Sequence, residues 1–202
     1  MININDQNGA SLLQLEIAQR LITEFDGPLI GIEMGIAYGG GVEAIGRMWR
    51  YRGTVHGFDT FEGHPKQLAY SQEAHEAYCM DLQYVWGGKE GLSYEYQRAE
   101  LDRQDLPNVI LHKGLVTEKS LDGFKDPIHY CLLDMDLVTS MICGYLAVKD
   151  KIVKGGYLLL HDCIPRGHLF GNWGIYQEIM ASGMWKLISE TPSAYLVILQ
   201  RV

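Results

Sequence analysis

The sequence predicts an α/β fold: a doubly wound, mostly parallel sheet that closes with an antiparallel β-hairpin at its C-terminal end. Three observations carry this. Short continuous apolar runs alternate with stretches that are apolar at helical spacing, as expected of parallel strands buried on both faces and joined by crossover helices. The last two runs, Trp185–Glu190 and Ala194–Gln200, are linked by Thr191-Pro192-Ser193, which predicts a hairpin. Four strand-like runs end on an acid: Glu33, Asp59, Asp134 and Asp162. In an open parallel sheet the carboxyl ends of the strands line one rim, where ligands bind. An unpaired buried carboxylate is unfavourable by several kcal/mol, so four acids on one rim point to a ligand, a metal or a cation.

The elements follow in order. Ser11–Phe25 is apolar at helical spacing, with Ser11 as its expected N-cap. Pro28–Glu33 reads as a buried strand, followed by glycines at 35, 39, 40 and 41 and a helix from about Val42 to Tyr51. Thr54–Phe58 is the second strand. From Thr60 to about Leu106 the chain turns polar and rich in Tyr, His, Gln and Glu, with helical pieces near Ser71–Leu82 and Ser93–Arg103. That length between strands predicts a lid or substrate-covering insertion over about 60–106 within a single domain spanning 1–202. Strands then recur at Asn108–His112, Ile128–Asp134 and Gly156–His161, with helices at Val138–Val153 and Gly174–Ser182.

Composition narrows the function. The 202 residues carry 47% hydrophobic and 21% charged side chains, which predicts a packed core rather than disorder. A net charge of −8, with no Lys/Arg cluster, argues against a nucleic-acid partner. No run approaches the ~20 apolar residues of a membrane helix, and the N-terminus does not read as a signal peptide. Cys79, Cys131, Cys143 and Cys163 are scattered without a CxxC pair, which fits reduced thiols in a cytoplasmic protein.

Two constellations carry chemistry. The turn Glu33-Met-Gly35-Ile-Ala-Tyr-Gly39-Gly40-Gly41 joins a strand to a helix, and its glycines let the backbone approach a ligand at a helix N-terminus. Glycine-rich turns also arise for packing alone. Asp59 stands where nucleoside-binding folds place a carboxylate for ribose hydroxyls; a turn cap is the other reading, since Thr60 and Gly63 follow. Asp134-Met-Asp136 ends one strand and His161-Asp162 another. Neighbouring strand ends lie ~5 Å apart, so Asp134, His161 and Asp162 are candidate ligands for one divalent ion, unless a Lys or Arg pairs with the acids. Carboxylates suit Mg²⁺, whereas an imidazole suits transition metals better. His64, His75 and His168 fall in loops near the rim, where a general base would stand.

With these residues in view, the chain resembles the class I S-adenosylmethionine (SAM) methyltransferases, and more narrowly the macrocin O-methyltransferase family. The match runs from about residue 28 to 165. It rests on the glycine turn, on Gly57-Phe-Asp59-Thr-Phe-Glu62-Gly63-His-Pro65, on Val109-Ile-Leu-His-Lys-Gly114, and on Leu133-Asp134-Met-Asp136-Leu137. The resemblance implies a Rossmann-like class I methyltransferase fold and SAM as cofactor. Glu33 and the backbone of Gly35, Ile36, Ala37, Tyr38 and Gly39 would hold the methionine part. Asp59 would bind ribose beside Thr60 and Phe61, and Gly114 and Leu115 would lie against adenine. In metal-dependent members the first Asp of DxD and an Asp-Asp pair hold Mg²⁺; Asp134 and Asp162 match, while His161 replaces the first acid of the pair. The family's D-L-Y after DxD is also absent, since Leu137-Val138 follows Asp136.

The resulting expectation is SAM-dependent O-methylation of a sugar-like or natural-product-like small molecule, with Asp134 and Asp136 as catalytic residues and Mg²⁺ or another divalent ion assisting. Tyr84, Trp86, Tyr94 and Tyr96 would cover the pocket, or else pack the insertion onto the sheet or a second copy of the chain. Two other classes stay open: a non-catalytic SAM-binding module and an NAD(P)-dependent reductase. The reductase is disfavoured because the turn is not GxGxxG.

Overall fold

The structure, a computed structural model, describes residues 8–64, 90–163, 170–191 and 195–202. Helix α1 (Asn8–Glu24) leads into β1 (Leu29–Met34), and α2 (Gly40–Met48) leads into β2 (Gly53–Asp59). A single 3₁₀ turn (Glu90–Leu92) precedes α3 (Tyr94–Arg103) and β3 (Val109–Lys113). There follow β4 (Ile128–Leu133), α4 (Val138–Val148), β5 (Ile152–His161), α5 (Phe170–Ala181), β6 (Trp185–Thr191) and β7 (Leu196–Arg201). The seven strands lie in the order β3-β2-β1-β4-β5-β7-β6. All neighbouring pairs from β3 to β5 are parallel, and β7 runs antiparallel to both β5 and β6.

The side-chain period of two divides the core into two layers. Ile32, Met34, Leu133, Leu158 and Leu160 face Met141 and Val148 of α4 and Ile175 and Ile179 of α5. Leu29, Val55, Tyr130, Leu132 and Leu159 face Ile17 and Leu21 of α1, Ile45 of α2 and Leu101 of α3. Trp49, fully buried just beyond α2, donates its indole N–H to the Ala18 carbonyl at 3.0 Å and ties α1 to the sheet. A Cβ at Gly31 would stand 2.9 Å from the Trp49 ring, so that glycine makes room for it.

Several expectations shift. Helix α1 starts at Asn8, so Ser11 lies inside it rather than capping it. Helix α4 stops at Val148 because Lys151 N–H turns back to the Val148 carbonyl and Ile152 enters the sheet opposite Ile128. The glycine pair that reads as a strand start is a bulge within β5: Ile128 pairs with Ile152 but Tyr130 with Tyr157, and Gly155 takes φ +83°. Within the expected insertion, residues 94–103 form the crossover helix from β2 to β3, capped by the Ser93 side chain and packed inward through Gln97 and Leu101. The expected helix near Ser71–Leu82, with Tyr84 and Trp86, lies outside the described residues. Among the described residues no helix is long and apolar enough to cross a membrane, and Cys131, Cys143 and Cys163 are free thiols.

Candidate active site

At the carboxyl ends of β1, β2, β4 and β5 a cavity of about 500 Å³ opens. The topology explains its place: the chain winds away in opposite directions from β1 and β4, which leaves a crevice between their following loops. All four strand-end acids line it, together with Asp136.

The glycine turn is the most constrained part. Gly35 adopts φ +85°, and a Cβ there would sit 1.9 Å from the Asp134 carbonyl oxygen, so no side chain fits. Gly41 opens α2 directly over Glu33; a Cβ at Gly41 would stand 2.5 Å from that carboxylate. Glu33 is only 4% exposed, and its Oε2 has no hydrogen-bond partner among the described residues. Burial, reinforced by the charges of Asp134 and Asp59, pushes its carboxyl up from 4.5 to about 8. Gly39 does not line the cavity: it starts α2 in the left-handed region (φ +74°) and packs under Gln97. The Gln97 amide in turn donates to the Ala37 carbonyl and holds the turn from outside.

Asp59 makes the bonds of a turn cap. Its Oδ2 accepts the N–H groups of Ile36 (3.0 Å) and Ala37 (3.2 Å), and its Oδ1 accepts that of Phe61 (2.8 Å). One carboxylate therefore fastens the glycine turn to the turn after β2. The Thr60 hydroxyl donates to the Gly63 carbonyl at 2.7 Å, and Phe61 and Gly63 both take positive φ, which bends this segment back over the cavity. Across the opening, Gly114 (φ +150°) and the half-exposed Leu115 follow β3.

The opposite wall holds the candidate metal ligands. Asp134 Oδ1 lies 2.9 Å and Asp162 Oδ2 3.2 Å from His161 Nδ1. Burial alone would lower the His161 pKa, but the two adjacent carboxylates outweigh it and raise it to about 11, so the ring is an imidazolium when no metal is present. Nδ1 is nevertheless buried without a well-aligned hydrogen bond to either oxygen. The same spacing fits a shared cation that would replace the Nδ1 proton: cis ligands of an ion at ~2.1 Å stand ~3.0 Å apart. The three side chains offer one nitrogen and two carboxylate donors whose ligand atoms all lie within 4.8 Å of one another, and this set suits a transition metal better than Mg²⁺.

Thus Glu33, Gly35, Ile36, Ala37, Tyr38, Asp59, Thr60, Phe61, Gly114, Leu115, Asp134, Asp136, His161 and Asp162 all border one cavity, and Gly39 supports it from behind. Tyr94 packs edge-on against Phe61, and Tyr96 is exposed on the outer side of α3; neither lines the cavity. Sequence reasoning missed Gln14 of α1 and Ser140 of α4, buried polar residues that reach the floor. Their only local signal is a polar side chain on an otherwise apolar helix face. His64 also enters the wall, with Nε2 2.9 Å from Asp136 Oδ2.

No family model matches the chain, and no curated protein sequence does. Solved structures do. The O-methyltransferase NovP superposes with a TM-score of 0.75 at 18% identity, over 95% of this chain and 79% of its own. An O-methyltransferase from Bacillus cereus, in complex with S-adenosylhomocysteine (SAH), gives 0.63 at 13% identity over 98% and 85%. The calicheamicin methyltransferase CalS11 gives 0.58 at 15% identity over 94% and 77%. With the strand order and the antiparallel β7, these establish the class I methyltransferase fold.

Proposed function

We propose that this chain is a SAM-dependent O-methyltransferase acting on a hydroxyl of a small molecule of the sugar or natural-product kind, related in its site to the macrocin O-methyltransferases. One observation carries the reading. Five carboxyls line the cavity against the His161 imidazolium, and no Lys or Arg is among the described lining residues. Such a site favours a net cation and repels a pyrophosphate, which speaks for a sulfonium cofactor and against NAD(P). It also disfavours a nucleic-acid substrate. The fold shared with NovP and CalS11 supports the same reading.

In this reading the buried Glu33 gains a cationic partner, and the free N–H groups at the start of α2, from Gly40 and Gly41, take the amino-acid carboxylate. Asp59, while holding the turn, presents its remaining lone pairs to the ribose, and Leu115 covers the adenine. SAM supplies a methyl group already activated by the sulfonium. The protein's part is to align the acceptor oxygen with it, to exclude water, and to receive the hydroxyl proton. Asp134, His161 and Asp162 are the residues that would hold a divalent ion, which lowers the pKa of a bound hydroxyl. Asp134 and Asp136 would orient the acceptor hydroxyl, and Phe61 and Leu92 of the 60–106 segment border the cavity in which it would lie.

The test is a thermal-shift titration with SAM, SAH and NAD(P)⁺, each with a divalent ion and with EDTA, since a ligand that binds only the folded state raises Tm. SAM and SAH should raise it and NAD(P)⁺ should not. Asp59→Ala should weaken SAM, whereas Asp134→Ala should abolish transfer with SAM affinity kept. Equal loss of cofactor binding in both variants would overturn that division. SAH binding with no turnover of any acceptor would leave a non-catalytic SAM-binding module.

A further inference from the structure

We propose that His64, held by Asp136, is the base that takes the proton from the acceptor hydroxyl, and that Asn172 is the positioning residue behind the pair. This rests on the methyl-transfer reading.

The pair is built from two distant turns. The turn after β2 is pinned at its start by Asp59, which accepts the Phe61 N–H at 2.8 Å, and at its end by the Thr60 hydroxyl, which bonds the Gly63 carbonyl at 2.7 Å. His64 is the next residue, so two clamps fix where it enters the cavity wall. The turn after β4 is just as constrained. Asp136 takes φ +60°, and Leu137 N–H closes onto the Met135 carbonyl at 2.6 Å. Asn172 of α5, with no solvent exposure, donates Nδ2 to the Asp136 carbonyl oxygen at 2.9 Å. A left-handed backbone at a non-glycine residue is held by its surroundings; here Asn172 supplies the hold and so aims the Asp136 carboxylate at His64.

The ring is oriented accordingly. His64 Nε2 lies 2.9 Å from Asp136 Oδ2. In the proposed pair Asp136 is ionised and accepts, which places the proton on Nε2 and the lone pair on Nδ1, against the burial and the charges of Asp134 and Asp162 that raise the Asp136 pKa. Nδ1 is buried and has no hydrogen-bond partner among the described residues. A histidine with a carboxylate on one nitrogen and an unpartnered lone pair on the other, in a side chain that lines the cavity, is arranged as a general base is.

In the step itself His64 Nδ1 accepts the proton of the acceptor hydroxyl while the hydroxyl oxygen forms its bond to the methyl carbon. The electron pair of the breaking carbon–sulfur bond stays on sulfur, whose positive charge is thereby neutralised. Asp136 stabilises the resulting imidazolium, which loses its proton to solvent after product leaves. Asp134 then takes no part in the proton transfer.

The experiment is long-range ¹H–¹⁵N NMR of the ¹⁵N-histidine-labelled chain with SAH bound, comparing wild type with His64→Asn (to assign the ring), Asp136→Asn and Asn172→Ala. The expected result is a neutral His64 ring protonated on Nε2 and bare on Nδ1, with that preference lost or mixed in Asp136→Asn and weakened in Asn172→Ala. A ring protonated on Nδ1, or one indifferent to Asp136→Asn, would overturn the proposal. The kinetic arm uses a panel of catechol and hexose-bearing acceptors. His64→Asn should keep the SAH-induced melting shift and the KM for SAM yet lose about 100-fold or more in kcat, and His64→Ala should recover part of its rate with added imidazole. A His64→Asn enzyme with wild-type kcat would equally overturn it. The ring state needs no acceptor, so it decides the base even where failure to find turnover counts against methyl transfer itself.

Discussion

Glu33→Gln isolates one charge in a closed space and tests the electrostatic account of the site. Glu33 is fully enclosed, one oxygen lacks a partner among the described residues, and its carboxyl is raised from 4.5 to about 8 by burial first and then by Asp134 and Asp59. Below about 4.5 it is protonated whether the chain is folded or not. Between 4.5 and 8 the folded state keeps a proton that the unfolded chain has released, so folding stability falls as pH rises through that window. Above about 8 both states are ionised and the loss is complete. The gap of about 3.5 at ~1.4 kcal/mol each amounts to about 5 kcal/mol at most. Glutamine keeps the shape without the charge. Glu33→Gln should therefore resemble wild type near pH 4.5 and exceed it by several kcal/mol at pH 9, on the order of 10 °C in Tm for a chain of this size. The assay is thermal unfolding of both proteins without ligand at pH 4.5, 7 and 9. Other titrating groups cancel in the difference. A gap that stays constant across pH would refute the reasoning, because it would mean that Glu33 titrates normally and that burial does not control it.

Further outcomes follow from the same geometry. SAM affinity of the wild type, measured by calorimetry, should rise with pH up to about 8 as Glu33 ionises to meet the cation, while Glu33→Gln should bind weakly with a flat profile over that range. His161, raised to about 11 by Asp134 and Asp162, contributes stability that is complete below its ordinary 6.5 and is lost as pH rises through 11; His161→Asp should remove it. The same variant should reverse ion preference, so that metal-stripped wild type gains more Tm from Mn²⁺ or Co²⁺ than from Mg²⁺ and the variant gains most from Mg²⁺; no ion response in either would exclude a metal at these three side chains. Gly35→Ala places a methyl group 1.9 Å from the Asp134 carbonyl oxygen at φ +85° and should destabilise by several kcal/mol or prevent folding. Gly40→Ala, with nothing within 4 Å of the added carbon, should stay within ~1 kcal/mol by urea unfolding.

Much of this protein is legible in local sequence because its signals are local. Continuous apolar runs mark the buried parallel strands, and the apolar stripe of 11–25 marks α1. The acids at or next to the ends of β1, β2, β4 and β5 share a rim once the strands are parallel. The residues that line the cavity follow from the same register, since most lie within a few positions of a strand end. Where local reading misplaces something, a contact from far along the chain decides. The β5 strand starts early because Ile152 pairs with Ile128 across a bulge. Gly39 serves the helix start rather than the cavity because Gln97 packs over it. Tyr94 turns toward Phe61 and does not line the cavity, because α3 is a crossover helix lying on the sheet.

The sequence by itself determined the strand set, the fold class and a rim of carboxylates, since these depend on period and on residues adjacent in the chain. Only the tertiary structure decided that Glu33 is sealed beneath Gly41, that Asp59 fastens two turns together, and that His161 lies between two acids. It also brought His64 to Asp136 and Asn172 behind them, over separations of 72 and 36 residues. The reason is physical: burial and hydrogen-bond partnership set each group's charge, and both are properties of the space around a side chain rather than of its neighbours in sequence.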